Sequence, residues 1–261
     1  MFPFIINQGS FVIPSFFFFV MLGVLCCAFY LYYRAPKEGF SQVVILDIAI
    51  VGAIFGILGA RIFHVFVEAF WFYKEDPMRV FEFWRGGFVS FGAYIGGVLA
   101  ILLYLKIRKL PILKYADFVA LGIPILVVFI RIGCLGAGCC YGKPTDFFIH
   151  LIFDDPHSDA GSKFAGQALH ATQIYDMLNG IFVFGLLHWR YFRKKFEGEI
   201  VLLLFVLYPT FRGIIELLRG DADRGVYFDG LVSTGQITGG IFILIAISLY
   251  VYLLKKSGRK I

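Results

Sequence analysis

The stretch Val43-Val-Ile-Leu-Asp-Ile-Ala-Ile-Val-Gly-Ala-Ile-Phe-Gly-Ile-Leu-Gly-Ala-Arg-Ile-Phe-His-Val-Phe-Val67 decides the fold class. At 1.5 Å per residue it is long enough as a helix to cross about 30 Å of hydrocarbon. Similar apolar runs lie near 11–33, 88–105, 115–134, 170–190, 199–217 and 235–254, which gives seven expected spans. The chain is 59% hydrophobic and only 16% charged, where a water-soluble domain carries about 25% charged residues. The runs are continuous rather than alternating, which excludes a membrane β-barrel. The expectation is an all-α integral membrane protein. It forms one transmembrane domain over 1–261, with no composition break or linker to mark a second.

Lysine and arginine placement orients the chain. Connections holding Arg34 and Lys37, the 106–114 loop, the 190–195 loop and the C-terminal tail carry fourteen basic residues. The opposite set (Lys74, Arg79, Arg85, Lys143, Lys163, Arg219 and Arg224) carries seven. The positive-inside rule then places the N-terminus outside and the C-terminus in the cytoplasm. Outer-side loops fall near 68–87, 134–169 and 218–234. The net charge of +6 reads as orientation and attraction to anionic membrane lipids. Nucleic-acid binding is a poor reading, because the basic residues are dispersed over short loops. The first apolar run has no basic n-region or small-residue cleavage site and reads as a retained span.

Polar chemistry concentrates in a few places. In Phe211-Arg-Gly-Ile-Ile-Glu-Leu-Leu-Arg219, the residues Arg212, Glu216 and Arg219 share one helix face at i, i+4 and i+7. A charge at bilayer depth costs about 2.5–3.5 kcal/mol or more, so such residues face a protein interior or a wet cavity. Two cations around one carboxylate leave positive charge, which suits an anion. Arg61 and Arg131 lie within other spans near the same expected outer side. A structural ion pair is the competing reading for any one of them. Gly133-Cys-Leu-Gly-Ala-Gly-Cys-Cys-Tyr-Gly142 follows Arg131, and Gly86, Gly87, Gly92, Gly96 and Gly97 mark the third span. Glycine permits sharp turns and close approach to a ligand, but small residues also serve plain helix packing in membranes.

His170, Gln173 and Asp176 fall near one face at i, i+3 and i+6, with Tyr175 beside them. A histidine there is a candidate proton handler. Cys134, Cys139 and Cys140 do not have the paired short spacing usual for zinc. Packing ranks first for them, then a disulfide, then a nucleophile, and metal last. Cys26 and Cys27, inside the first span, read as small core residues.

These pieces together resemble the prolipoprotein diacylglyceryl transferase family. The resemblance runs from Gly59-Ala-Arg61 through Trp84-Arg-Gly-Gly87, Gly92, Gly96-Gly97, Asp117 before Pro124, and Arg131-Ile-Gly133. It continues with His170-Ala-Thr-Gln173 and Tyr175, Tyr208 to Arg219, and Ser233-Thr-Gly-Gln236. It implies a bacterial inner-membrane enzyme, active toward the outer side. Such an enzyme moves the diacylglyceryl group of phosphatidylglycerol to the lipobox cysteine in the signal peptide of a preprolipoprotein and releases glycerol phosphate. By resemblance, Arg131 and Arg212 bind the lipid phosphate, and Glu216 orients Arg212 and Arg219. Arg61, Gln173, Tyr175 and Gln236 line the pocket with His170. No cofactor or metal is implied.

Three departures from the family pattern matter. Phe91 stands where a histidine is expected before the third-span glycines. Thiols at Cys134, Cys139 and Cys140 replace an asparagine-rich stretch, and Ala171 replaces a proline. His170 is then the candidate for proton transfer, with ionisation of the thiol by the arginine field as the other account. A related headgroup transferase with another acceptor, or a non-catalytic lipid binder or transporter, are the alternative functions.

Overall fold

A computed structural model describes residues 2–8, 11–83, 86–221, 225–227 and 232–258. Trp84, Arg85, Arg224, Arg259 and Lys260, which entered the reading above, lie outside the described residues. The longer helices are α1 (Ser15–Arg34), α2 (Gln42–Phe63), α4 (Ser90–Ile107), α6 (Ile123–Ala137), α8 (Thr172–Tyr191), α9 (Glu199–Glu216) and α10 (Thr234–Gly258). Shorter ones are α3 (Phe70–Glu75), α5 (Ile112–Ala120) and α7 (Asp159–Phe164). The described residues also form three antiparallel two-stranded pairs: β1 (Phe4–Gln8) with β2 (Phe11–Pro14), β3 (His150–Ile152) with β4 (Ala168–His170), and β5 (Val226–Tyr227) with β6 (Val232–Ser233).

Helices occupy all seven expected stretches. Among the described residues four of them are long and apolar enough to cross a membrane, and α5 with α6 pass the same test only as a pair bent by 41° at their junction. Their outward faces are bare of polar cover. Met21, Leu25 and Phe29, one turn apart on α1, are each more than 60% exposed, which suits contact with lipid rather than water. Helices α8 and α9 span 20 and 18 residues. They differ in burying Gln173, Asp176, Asn179, Glu199 and Glu216.

Element boundaries depart from the hydropathy reading for local reasons. Residues 11–14 are strand β2 rather than the start of a span, and the first helix begins at Ser15, just after Pro14. The fourth stretch is two helices because Pro124 sits in the first turn of α6, where a continuing helix would need its missing N–H. The fifth begins at Thr172, because 168–170 pair with β3.

The described chain gathers into two compact units, residues 28–115 and residues 1–27 with 116–261. In the first, α2 lies directly on α4. A Cβ on Gly59 would collide with the Gly92 carbonyl and lie 3.0 Å from Gly96 Cα. These glycines therefore serve backbone-to-backbone packing.

In the second unit α6, α8, α9 and α10 pack side by side. The start of α9 is fixed by Asp117, which is fully buried. Its carboxylate accepts from the N–H groups of Gly198 (2.9 Å), Ile200 (2.9 Å) and Val201 (3.1 Å) and from Lys194 Nζ (3.1 Å). A carboxylate there satisfies donors that no helix turn can reach and meets the positive end of the dipole. Nearby, buried Glu199 pairs with Arg190 (2.5 Å) and accepts from Tyr250 (3.1 Å). The expected loop 134–169 holds a small core of its own, built from Tyr141, Phe153, Ala160 and Leu169. It is a folded lobe rather than a loose connection.

Candidate functional site

Helix α6 ends in a left-handed glycine. Gly138 has φ of 67° and its N–H donates to Leu135 O, while Cys139 N–H donates to Cys134 O at 3.1 Å. This pair of bonds is a Schellman motif, which turns the chain back over the helix end. A β-carbon on Gly138 would meet Ser158 Cβ at 2.5 Å, so glycine answers both the backbone and the packing. The returning segment pairs with the chain after α9: Lys143 N–H donates to Leu218 O (2.8 Å) and Gly220 N–H to Tyr141 O (3.0 Å). Those bonds set Arg219 beside Cys140.

A narrow, tightly packed cleft results. Arg131 of α6, Gln173 and Asp176 of α8, Arg212 of α9, and the loop residues Arg219 and Cys140 line it, with Thr172 and Ile215. Asp176 lies at its centre. One carboxylate oxygen meets Arg131 Nε at 2.7 Å and Arg212 Nε at 3.3 Å. Arg212 Nη1 also reaches Glu216 at 2.5 Å. Glu216 in turn lies 3.5 Å from Arg219, which is bidentate on Asp221.

The net positive charge expected of this face is therefore cancelled. Three guanidiniums are matched by Asp176, Glu216 and Asp221, two of which lie outside the Arg212-to-Arg219 repeat. Ion pairs this buried persist because losing either partner leaves an uncompensated charge. Gln173 is 1% exposed; its amide donates to Cys139 O at 2.8 Å, and its Oε1 lacks a hydrogen-bond partner. Such an orphan acceptor is rare in a protein interior.

The other sequence-predicted residues stand elsewhere. His170 belongs to β4, with Nδ1 3.5 Å from Tyr175 Oη, and Tyr175 donates to Ile149 O at 2.7 Å. Neither lines the cleft. Gln236 forms a capping box at the start of α10: Ser233 N–H donates to its Oε1 (3.0 Å) and Gln236 N–H to Ser233 Oγ (3.2 Å). Its Nε2 donates to Gly213 O of α9 at 3.2 Å. Arg61 belongs to the 28–115 unit and is 3% exposed. Its five N–H donors meet the carbonyls of Arg79, Val80, Glu82, Gly86 and Gly87, so this arginine organises the loop before α4. Phe91 stacks edge-on against Phe63 with centroids 5.6 Å apart. Ala171 is fully buried.

Sequence reasoning missed Asp176 and Asp221 as the cleft's counter-charges. Asp176 was visible at the i+6 position from His170. Its bridging of Arg131 to Arg212 is a contact between three helices and leaves no spacing signal. The thiols of Cys134, Cys139 and Cys140, whose spacing did not suggest a metal site, have their sulfurs all within 4.8 Å of one another.

Comparison with known proteins bears on the same stretch of chain. A family model described as prolipoprotein diacylglyceryl transferase matches residues 3–252. The phosphatidylglycerol–prolipoprotein diacylglyceryl transferase 2 of Clostridium perfringens is 36% identical over 252 residues, covering 95% of this chain and 93% of that protein. The phosphatidylglycerol–prolipoprotein diacylglyceryl transferase of Clostridium tetani is 34% identical over 88% of this chain and 89% of its own length. That of Pasteurella multocida is 33% identical over 78% and 73%. With the match running nearly end to end through every helix that builds the cleft, the chain belongs to the prolipoprotein diacylglyceryl transferase family.

Proposed function

We propose that this membrane protein is a phosphatidylglycerol–prolipoprotein diacylglyceryl transferase. It moves the diacylglyceryl group to the lipobox cysteine thiol of a preprolipoprotein and releases glycerol phosphate. Family membership supports the reaction. The observation that carries the site is the convergence of Arg131, Arg212 and Arg219 in one cleft of a membrane protein.

A guanidinium carries five donors in a planar fork, so one edge can hold a carboxylate while another meets phosphate oxygens. Asp176 and Glu216 then fix the orientation of Arg131 and Arg212 before the lipid arrives, which reduces what must be ordered on binding. As the ester C–O bond breaks, charge grows on the departing phosphate, and preset donors stabilise that charge without reorganising. In this reading Arg131 and Arg212 hold the phosphate, Glu216 orients Arg212 and Arg219, and Gln173 lines the pocket. Tyr175 and Gln236 support the elements around it, and Arg61 orders the loop before α4 within its own unit. The cleft opens toward the outer face of the bacterial inner membrane.

The test supplies purified protein with phosphatidylglycerol vesicles and a lipobox peptide. The expected result is a mass gain of one diacylglyceryl unit on the peptide cysteine, with glycerol phosphate release. No gain by folded, lipid-supplied protein refutes the reaction. Arg131→Ala and Arg212→Ala are each expected to lower kcat/KM on the order of 100-fold, since hydrogen bonds to charged groups contribute about 1.5–3 kcal/mol. Near-normal rates in both would remove the phosphate site from this cleft.

A further inference from the structure

The thiols of Cys134, Cys139 and Cys140 are not used by the reaction as derived above, yet the fold brings all three together. Their spacing does not resemble a zinc motif in sequence, and the local backbone supplies the missing reason. In a Schellman motif the side chains of the third residue from the helix end and the second residue beyond it come into contact. Those positions here are Cys134 and Cys139, joined by the Cys139 N–H bond to Cys134 O. Cys140 then takes φ of 58°, a left-handed conformation uncommon for a residue with a β-carbon. Its sulfur lies with the other two, all three within 4.8 Å. A zinc–sulfur distance of about 2.3 Å sets tetrahedral sulfurs about 3.8 Å apart, a contraction that side-chain rotation can supply.

Charge and position agree with a metal. Three thiolates around a divalent ion carry one net negative charge, and Arg131 Nη1 stands 3.7 Å from Cys134 Sγ. Cys140 lines the arginine cleft. The backbone carrying the thiols is pinned to the same cleft: Thr172 donates to Cys140 O (2.7 Å) and Gln173 to Cys139 O (2.8 Å).

We propose that Cys134, Cys139 and Cys140 form a three-thiolate site for a divalent d¹⁰ cation of the zinc class, whose open fourth position takes the acceptor thiol as its thiolate. The proposal rests on the transferase reading and answers what that reading lacks. His170 does not line the cleft, and the carboxylates in and beside it, Asp176, Glu216 and Asp221, are held by arginines. A thiol bound to zinc loses its proton outright and keeps nucleophilic sulfur at neutral pH. In the step, the acceptor S–H proton leaves to solvent as the sulfur binds the metal. The sulfur then forms the S–C bond to the glyceryl carbon while the C–O bond to phosphate breaks. Its electron pair departs on glycerol phosphate at the arginines. No oxidation or reduction is involved.

The test uses the whole reduced protein in detergent, loaded with zinc or cadmium ions. One equivalent of either ion should bind per chain, and cadmium should give an ultraviolet thiolate charge-transfer band. The band should be lost in Cys134→Ser, Cys139→Ser and Cys140→Ser and retained in Cys26→Ser. Stripping zinc should lower peptide transfer on the order of 100-fold, the scale of a lost proton-handling device. Phosphatidylglycerol binding should be unchanged, and zinc should restore the rate. Folded, reduced native protein that binds neither ion overturns the site. Full transfer by the stripped protein overturns its catalytic role and leaves the transferase reading standing. Metal binding with no transfer in any form refutes the transferase reading, and the thiol-activating role with it, while the site itself is supported.

Discussion

Asp176 carries a larger share of the cleft than any residue the motif pattern singles out. One of its oxygens pairs with two guanidiniums that come from different helices. Asp176→Asn keeps the shape and removes the charge. It should cost about 3–5 kcal/mol, the range for breaking a buried pair, read as a lower melting temperature in detergent. A melting temperature equal to wild type would mean that the pairs are not formed. Gln236 shows the opposite case. Ser233-Thr-Gly-Gln236 carries the capping-box pattern, Ser followed by Gln three residues on, and Gln236 makes those capping bonds rather than lining the cleft. Gln236→Ala should lose about 1 kcal/mol of stability and leave KM for phosphatidylglycerol unchanged. A raised KM would return Gln236 to the substrate.

At the scale of elements, two helix ends decide where chemistry sits. The buried Asp117 carboxylate anchors the start of α9, and Arg212 and Glu216 ride on the last turns of that helix. Asp117→Ala strands three backbone donors and Lys194, so it should destabilise by about 2 kcal/mol or more. It should also raise KM for phosphatidylglycerol, because the far end of α9 loses its reference point. Asp117→Asn, which still accepts hydrogen bonds, should recover part of both losses. A variant that melts early but keeps the wild-type KM would confine Asp117 to stability. The C-terminus of α6 is the second such end. Gly138→Ala must adopt φ of 67° beside Ser158. It should destabilise by about 1 kcal/mol or more and weaken thiolate metal binding in the cadmium titration. Equal metal affinity would separate the cap from the thiol cluster.

For the whole molecule, the excess of basic residues on one set of connections predicts a cytoplasmic 190–195 loop and an outward-facing 134–169 segment. We expect an impermeant thiol reagent on intact cells to label a cysteine introduced at Ser162 in the lobe, and not one introduced at Lys195. The reverse pattern would invert the orientation. Hydropathy and the ordered motifs together determined from sequence that this is a mostly helical membrane protein of the diacylglyceryl transferase family. These are legible because apolar length and helix-face spacing are properties of neighbouring residues. Tertiary structure alone decided the charge balance of the cleft, the diversion of Arg61 and Gln236 to structural bonds, and the meeting of three thiols. The physical reason is that ion pairing and coordination depend on which side chains different helices and turns bring within a few ångströms. Sequence separation does not encode that distance.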